Sequence, residues 1–102
     1  MDELSVFWTP TAIKQRNYIF EYWNTRNRNN RYSRKLNMII HERIEIIKTF
    51  PEIGIQTEFK DTRAVSLGHY NILYKLDSPR LIINGLWDNR QDPRKLNSFL
   101  KR

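Results

Sequence analysis

Two apolar runs, His69 to Leu76 and Leu81 to Trp87, stand on either side of the turn-forming stretch Asp77-Ser78-Pro79-Arg80, and they constrain the fold more than any other part of the chain. Both runs are rich in Ile, Leu and Tyr, so they predict two strands of one antiparallel hairpin. Ala64 to Leu67 predicts a shorter strand before them, broken from the next by Gly68 without a long connection. The result is an antiparallel meander. Its last strand runs into Trp87-Asp88-Asn89-Arg90-Gln91-Asp92-Pro93, a polar loop that holds a cation between two acids where the sheet ends. Loops on a rigid sheet are favoured places for function.

Upstream, Leu4 to Trp8 is rich in β-formers and predicts a short strand that joins the sheet at an edge. Thr9-Pro10 then predicts a helix start, because threonine caps well and proline at the first helical position loses only an N–H that has no helical partner. Ala12, Ile13, Arg16, Ile19, Phe20 and Trp23 recur at helical spacing, with Tyr18 and Tyr22 at the margin of the stripe. Residues Asn24 to Arg31 have no aliphatic side chain, and their asparagines favour a turn. A second helix follows, with Leu36, Ile39, Ile40, Arg43, Ile47 and Phe50 at three- and four-residue spacing, and Pro51 stops it. Ile55 to Phe59 reads as a strand or an extended loop. Past the meander, Asp92-Pro93 repeats the cap-then-proline signal, and Leu96, Phe99 and Leu100 predict a short C-terminal helix.

These elements make one domain, residues 1–102, of the α+β class. An N-terminal strand joins a small antiparallel sheet at its edge, an αα-hairpin packs on one face in two layers, and the opposite face stays open as the natural binding surface. The expected core between helices and sheet is Leu36, Ile40, Ile47, Ile72, Tyr74, Ile82 and Trp87. A chain of 102 residues has little core to spare. Zero cysteines exclude disulfides and thiolate metal sites, as expected of an intracellular, cytoplasmic protein. The acids of MDELSVFW are unlike a signal peptide, and no apolar run reaches membrane-spanning length, so no membrane association is expected.

Charge narrows the partner. Eighteen Lys and Arg against eleven Asp and Glu leave +7, a balance that draws in nucleic acid, an anionic surface or an acidic protein segment. Between Glu21 and Glu42 there is no acid, while Arg26, Arg28, Arg31, Arg34 and Lys35 crowd the turn between the helices beside Tyr22, Trp23 and Tyr32. That field attracts phosphates or an acidic partner, and the aromatics beside it suit stacking of single-stranded bases or simple core packing. A second basic group, Lys60, Arg63, Arg90 and Arg94, is expected at one end of the sheet, where Arg90 either grips a phosphate or braces its loop between Asp88 and Asp92. His69, at the start of a strand, is an acid–base candidate or a structural residue. No Gly-rich phosphate loop, nucleophile motif or zinc spacing is present, so no cofactor or metal is expected.

Four stretches in order, FWTPTAIKQRNYIFEYW, FPEIG, LGHYNILYKLDSPRLIINGLW and NRQDPRKL, resemble the RelE/ParE superfamily of toxins over nearly the whole chain. The most specific parts are Gly68, Tyr70, Ile72 and Tyr74 in one run and Arg90, Asp92, Pro93 and Leu96 in another. The resemblance implies a strand-helix-helix-meander fold and the toxin role in a type II toxin-antitoxin pair of the plasmid stabilisation type. Such a toxin inhibits growth and is neutralised by an acidic antitoxin in a hetero-oligomer. RelE-like members cut messenger RNA on the ribosome without metal, using Lys, Arg and a late Tyr or a His-Tyr pair; ParE-like members poison DNA gyrase. Arg90 matches an arginine that RelE-like members place on the scissile phosphate, but the catalytic arginine they carry after the tyrosine of the strand motif is replaced by Asn71 and their late tyrosine by Leu96. The resemblance therefore favours the ParE-like branch, with Arg26, Arg28, Arg31, Arg94, Lys95, Lys101 and Arg102 as partner-binding cations. RNA cleavage by Arg90, His69, Arg63 and Lys60 is the alternative, and a nucleic-acid-binding module without toxicity is a third reading.

Overall fold

The computed structural model describes residues 3–90. It contains β1 (Ser5–Trp8), α1 (Pro10–Asn27), α2 (Arg31–Thr49), β2 (Ile55–Gln56), β3 (Arg63–Leu67), β4 (Tyr70–Asp77) and β5 (Arg80–Asp88). The five strands form one sheet in the order β1-β5-β4-β3-β2. Two helices on a five-stranded sheet make the expected two-layer α+β architecture. The sheet is mixed rather than antiparallel, because β1 runs parallel to β5, with Val6 opposite Leu81 and Trp8 opposite Ile83. The predicted C-terminal helix lies outside the described residues.

Local chemistry accounts for the helix limits. The Thr9 hydroxyl accepts a hydrogen bond from the Ala12 N–H at 3.1 Å, and Pro10 occupies the first turn. Arg28 closes α1 in the left-handed conformation, so the asparagine-rich stretch is helical up to Asn27 and only Arg28 to Asn30 turns. The Ser33 hydroxyl donates to the side chain of Asn24, tying the first turn of α2 to the last turns of α1. On α2, Ser33, Leu36, Ile40, Ile44 and Ile47 are buried at three- and four-residue spacing, while Phe50 is exposed beyond the last turn.

The core between the layers joins Ala12, Ile19, Leu36, Ile40, Ile44 and Ile47 of the helices to Leu67, Tyr70, Ile72, Tyr74, Leu81, Ile83 and Leu86 of the sheet. Two expectations change here. Ile82 is only half-buried and pairs with Lys75, on the face away from the helices, while its neighbours Leu81 and Ile83 are fully buried. The cause is a bulge: Leu73 pairs with Gly85 and Tyr74 with Ile83, so Asn84 has no residue opposite it and the side-chain phase of β5 shifts by one. Trp87 is buried as expected, but it pairs with Asn71 and, by strand alternation, points away from the helices, as does Leu73. That second face is consequently not bare, and Gly85 lies opposite Leu73 where an added Cβ would stand 2.9 Å from a Leu73 methyl.

The strands fix the register of both ends of the sheet. Gly68 and His69 connect β3 to β4 as a two-residue turn with Gly68 at φ 71°, so His69 is a turn residue rather than the start of a strand. Midway along β4, the buried Tyr74 hydroxyl donates to the Pro51 carbonyl at 2.8 Å and accepts from the Gly54 N–H at 2.9 Å.

The bulge makes a stability test. Ile83→Ala and Ile40→Ala should each cost about 2–5 kcal/mol, because both side chains are fully enclosed. Ile82→Ala should cost about 1 kcal/mol, an ordinary value for a half-buried position. Urea unfolding of the three variants measures the order, and equal losses at Ile82 and Ile83 would show that the phase of β5 is misplaced.

Candidate functional site

A gap in strand pairing creates a concavity. β1 accompanies β5 only as far as Ile83, where the chain turns through Thr9 into α1. From Asn84 onward the outer edge of β5 therefore faces a helix, and a strand edge beside a helix needs other partners for its backbone. Gln15 supplies one, its Oε1 accepting from the Leu86 N–H at 2.9 Å. Between α1 and this edge lies a groove of about 850 Å³. Lys14, Tyr18, Tyr22 and Arg26 line its helical side, and Tyr70, Asp88 and Arg90 line the sheet side.

An aromatic cluster holds the end of the groove together. The Trp23 indole N–H donates to the Tyr70 hydroxyl at 2.8 Å. Tyr22 meets Trp23 edge-on with centroids 5.2 Å apart, and Tyr32 of α2 tilts against it at 4.6 Å. Arg26 lies over the Trp23 ring at 5.9 Å. Burial pushes the Tyr70 phenol above its ordinary pKa, so it stays protonated at neutral pH. Among the described residues no acceptor takes its proton, since the one bond its oxygen makes is received from Trp23.

Arg90 and Asp88 form a two-pronged pair at the mouth. Nη2 of Arg90 sits 2.8 Å from Asp88 Oδ2 and Nε 3.0 Å from Oδ1, while the Arg90 N–H also donates to Oδ1 at 2.9 Å. The bond from Arg90 holds the Asp88 carboxyl below its usual range, with the nearby His69 adding a smaller pull. The bracing of its own loop expected for Arg90 is thus present on the Asp88 side, and Asp92 lies outside the described residues.

The other predicted cations do not converge. Arg90 and the exposed His69 share one end of the sheet, where the His69 carbonyl accepts from the Asn89 N–H at 2.7 Å. Arg63 opposes Tyr74 at the far end of β3, four register steps away or roughly 13 Å at about 3.3 Å per residue, and Lys60 is exposed in the loop before it. The expectation that Lys60, Arg63 and Arg90 gather at one end fails because β3 pairs with β4 along the whole of β3, setting Arg63 opposite Tyr74 and Leu67 opposite Tyr70. The Arg63 guanidinium donates instead to the Gly54 carbonyl at 2.7 Å and the Glu52 carbonyl at 3.3 Å. Asn71, where RelE-like members carry arginine, donates to the Asn89 side chain on the face away from the helices. Arg26 reaches the groove, Arg28 and Arg31 are exposed at the turn between the helices, and Arg94, Lys95, Leu96, Lys101 and Arg102 lie outside the described residues. Among the described residues no three His, Asp or Glu side chains converge as metal ligands.

Sequence reading missed Gln15, Lys14 and Tyr70 as groove residues. The available signal was the spacing of Lys14, Tyr18, Tyr22 and Arg26, which repeats every four residues along one side of α1.

The family model of the ParE toxin of the type II toxin-antitoxin system, parDE, matches residues 6–93, and the chain belongs to that family. No curated protein matches it by sequence. Among solved structures it is similar to a chain of the chromosomal ParDE toxin-antitoxin system from P. aeruginosa, with a TM-score of 0.70 at 14% identity over 84% of this chain and 96% of that one. At that identity the likeness bears on the fold. Among the described residues no helix is long and apolar enough to cross a membrane.

The Asp88–Arg90 pair predicts an acid response. The folded-state pKa of Asp88 lies below its unfolded value, so its contribution to stability is present above the unfolded carboxylate pKa and is lost as pH falls through the lowered folded value. Urea midpoints of Arg90→Gln should therefore fall less steeply than those of the unaltered protein between roughly pH 5 and pH 2. Parallel curves would mean that the pair contributes nothing to folding.

Proposed function

We propose that this protein is the toxin of a type II toxin-antitoxin module and that it arrests growth by occupying the surface of a protein target such as DNA gyrase. The observation that carries the choice of target is the dispersal of its cations. Metal-free RNA cleavage needs a base, an acid and positive charge around one phosphate, and losing one member typically costs 100-fold or more. Here Arg63 is committed to two carbonyls and Arg90 to Asp88, on different strands and in rows roughly 13 Å apart along the strand direction, and Asn71 stands where a second arginine would act. An acidic antitoxin fits the same chain, because +7 on 102 residues with a cationic helix turn speeds encounter with an oppositely charged segment. Ribosome-dependent RNA cleavage stays as the second reading on one observation, the shared position of His69 and Arg90 at one end of the sheet.

Purified protein should block gyrase supercoiling and leave ribosome-bound messenger RNA intact, with Arg90→Ala weakening it only modestly. Codon-positioned cleavage in a translating extract, abolished by Arg90→Ala or His69→Ala, decides for the enzyme instead. Co-expression with the product of an adjacent gene for a small acidic protein should raise yield and melting temperature by mass action. A protein that is equally stable with and without that product counts against the antitoxin.

A further inference from the structure

The groove between α1 and the edge of β5 has more chemistry than the fold requires of it. Tyr18 and Tyr22, four residues apart on α1, are 68% and 47% exposed, so large aromatic surfaces stand one helical turn apart beside the groove. Lys14 lies one turn before Tyr18 and Arg26 one turn after Tyr22, and Arg28 and Arg31 extend the positive field beyond Arg26. Among the described residues Asp88 is the one acid lining the groove, and Arg90 engages both of its carboxylate oxygens; Glu21 stands on the outer flank of the tyrosines. Unused donors are left at the floor. Gln15 Nε2 is buried without a partner among the described residues, and the Tyr70 hydroxyl receives a bond but gives none there. A buried donor without an acceptor is costly, so both atoms call for a ligand that brings acceptors.

Two kinds of acidic ligand have such acceptors, a peptide and a nucleic acid. The lining decides between them. An amphipathic helix seeks aliphatic holes, but among the described residues the aliphatic side chains lining this groove are Ile19 and Leu86, both buried. Flat aromatic surfaces alternating with cations are the arrangement that accepts successive bases and the phosphates between them. We propose that this groove binds single-stranded nucleic acid, bases stacking on Tyr18 and Tyr22, phosphates pairing with Lys14 and Arg26, and Gln15 and Tyr70 donating to acceptors that reach the floor. The site lies on the helix side of the sheet, across from Asn71, and involves binding without cleavage. It stands independently of the gyrase reading.

The test uses the full chain and a fluorescently labelled single strand of mixed sequence, with its duplex as control, followed by anisotropy and by quenching of tryptophan emission. The single strand should bind at least about 10-fold tighter than the duplex, since paired bases cannot stack on side chains. Tyr22→Ala should weaken binding about 5-fold or more, while Tyr22→Phe, which keeps the ring, should retain it. Lys14→Gln should lower the slope of log affinity against log salt by about 0.7, the value of one lost phosphate contact on a single strand. Lys75→Gln removes the same charge from the sheet face away from the helices, outside the groove, and should leave that slope nearly unchanged. Should Tyr22→Ala not fold, Tyr18→Ala serves the same comparison. Equal affinity for duplex, indifference to both tyrosine truncations, or an equal effect of Lys75→Gln and Lys14→Gln would overturn the proposal in favour of diffuse charge attraction. A polyglutamate peptide that displaces the strand and loses affinity equally in Tyr22→Ala would overturn it in favour of an acidic peptide.

Discussion

The Tyr74 hydroxyl is the point on which the two layers depend. It sits at the centre of the sheet, buried, and satisfies two backbone groups of the segment that brings the chain back from α2: the carbonyl of Pro51 and the N–H of Gly54. Burial raises its pKa, so the phenol keeps the proton it donates. The fit also dictates a neighbour, because a Cβ on Gly54 would come within 2.6 Å of that oxygen. Arg63, opposite Tyr74 on β3, closes the arrangement by donating to the carbonyls of Gly54 and Glu52. A residue that looks from sequence like a free phosphate-binding cation is in fact part of the loop's hydrogen-bonding scheme. At Gly54 its commitment follows from the requirement that buried backbone carbonyls be paired.

Periodicity carried most of the fold into view. The stripe of α2, the Thr9-Pro10 start and the β4–β5 hairpin are all written in side-chain spacing and turn chemistry, and the structure has each of them, while of the stripe on α1 it buries Ala12 and Ile19 and leaves Ile13 exposed. Two features had no such signature. The parallel pairing of β1 with β5 joins residues some seventy-five positions apart, Ser5 with Arg80, and nothing local to either strand records the other's direction. The bulge at Asn84 is equally silent, since one extra residue in a run of apolar side chains leaves the composition unchanged while moving Ile83, rather than Ile82, into the core.

The candidate site was less legible than the fold for the same physical reason. Arg90, Arg26 and the aromatics could be picked out by type, yet their meaning depends on where β1 stops. Because β1 is only four residues long, β5 outruns it, and the uncovered edge is what makes a groove rather than a continuous sheet. Gln15 shows the consequence directly: its carbonyl oxygen takes the place of the missing strand at Leu86, and its amide nitrogen is left over. No amount of reading along α1 would distinguish that glutamine from a solvated one.

The distribution of charge connects these observations to function. A net charge of +7 suggests a surface ready to grip phosphates anywhere, but the cations that stand out in the sequence fall into two groups among the described residues. Arg63 and Arg90 are held in fixed geometry by oxygen partners, which sets the direction of each fork toward its own loop. Arg26, Arg28, Arg31, Arg34 and Lys35 sit on the exposed hairpin of helices with no acid between Glu21 and Glu42 to offset them. Cations of the first kind stabilise a loop; those of the second kind set the long-range field that an approaching anionic partner feels. The field is therefore displaced from the far end of β3, where Arg63 stands, toward α1, the start of α2 and the groove. A partner drawn in by charge would first meet the helical side of the molecule, and the face bearing Asn71 would be reached, if at all, through contacts of another kind.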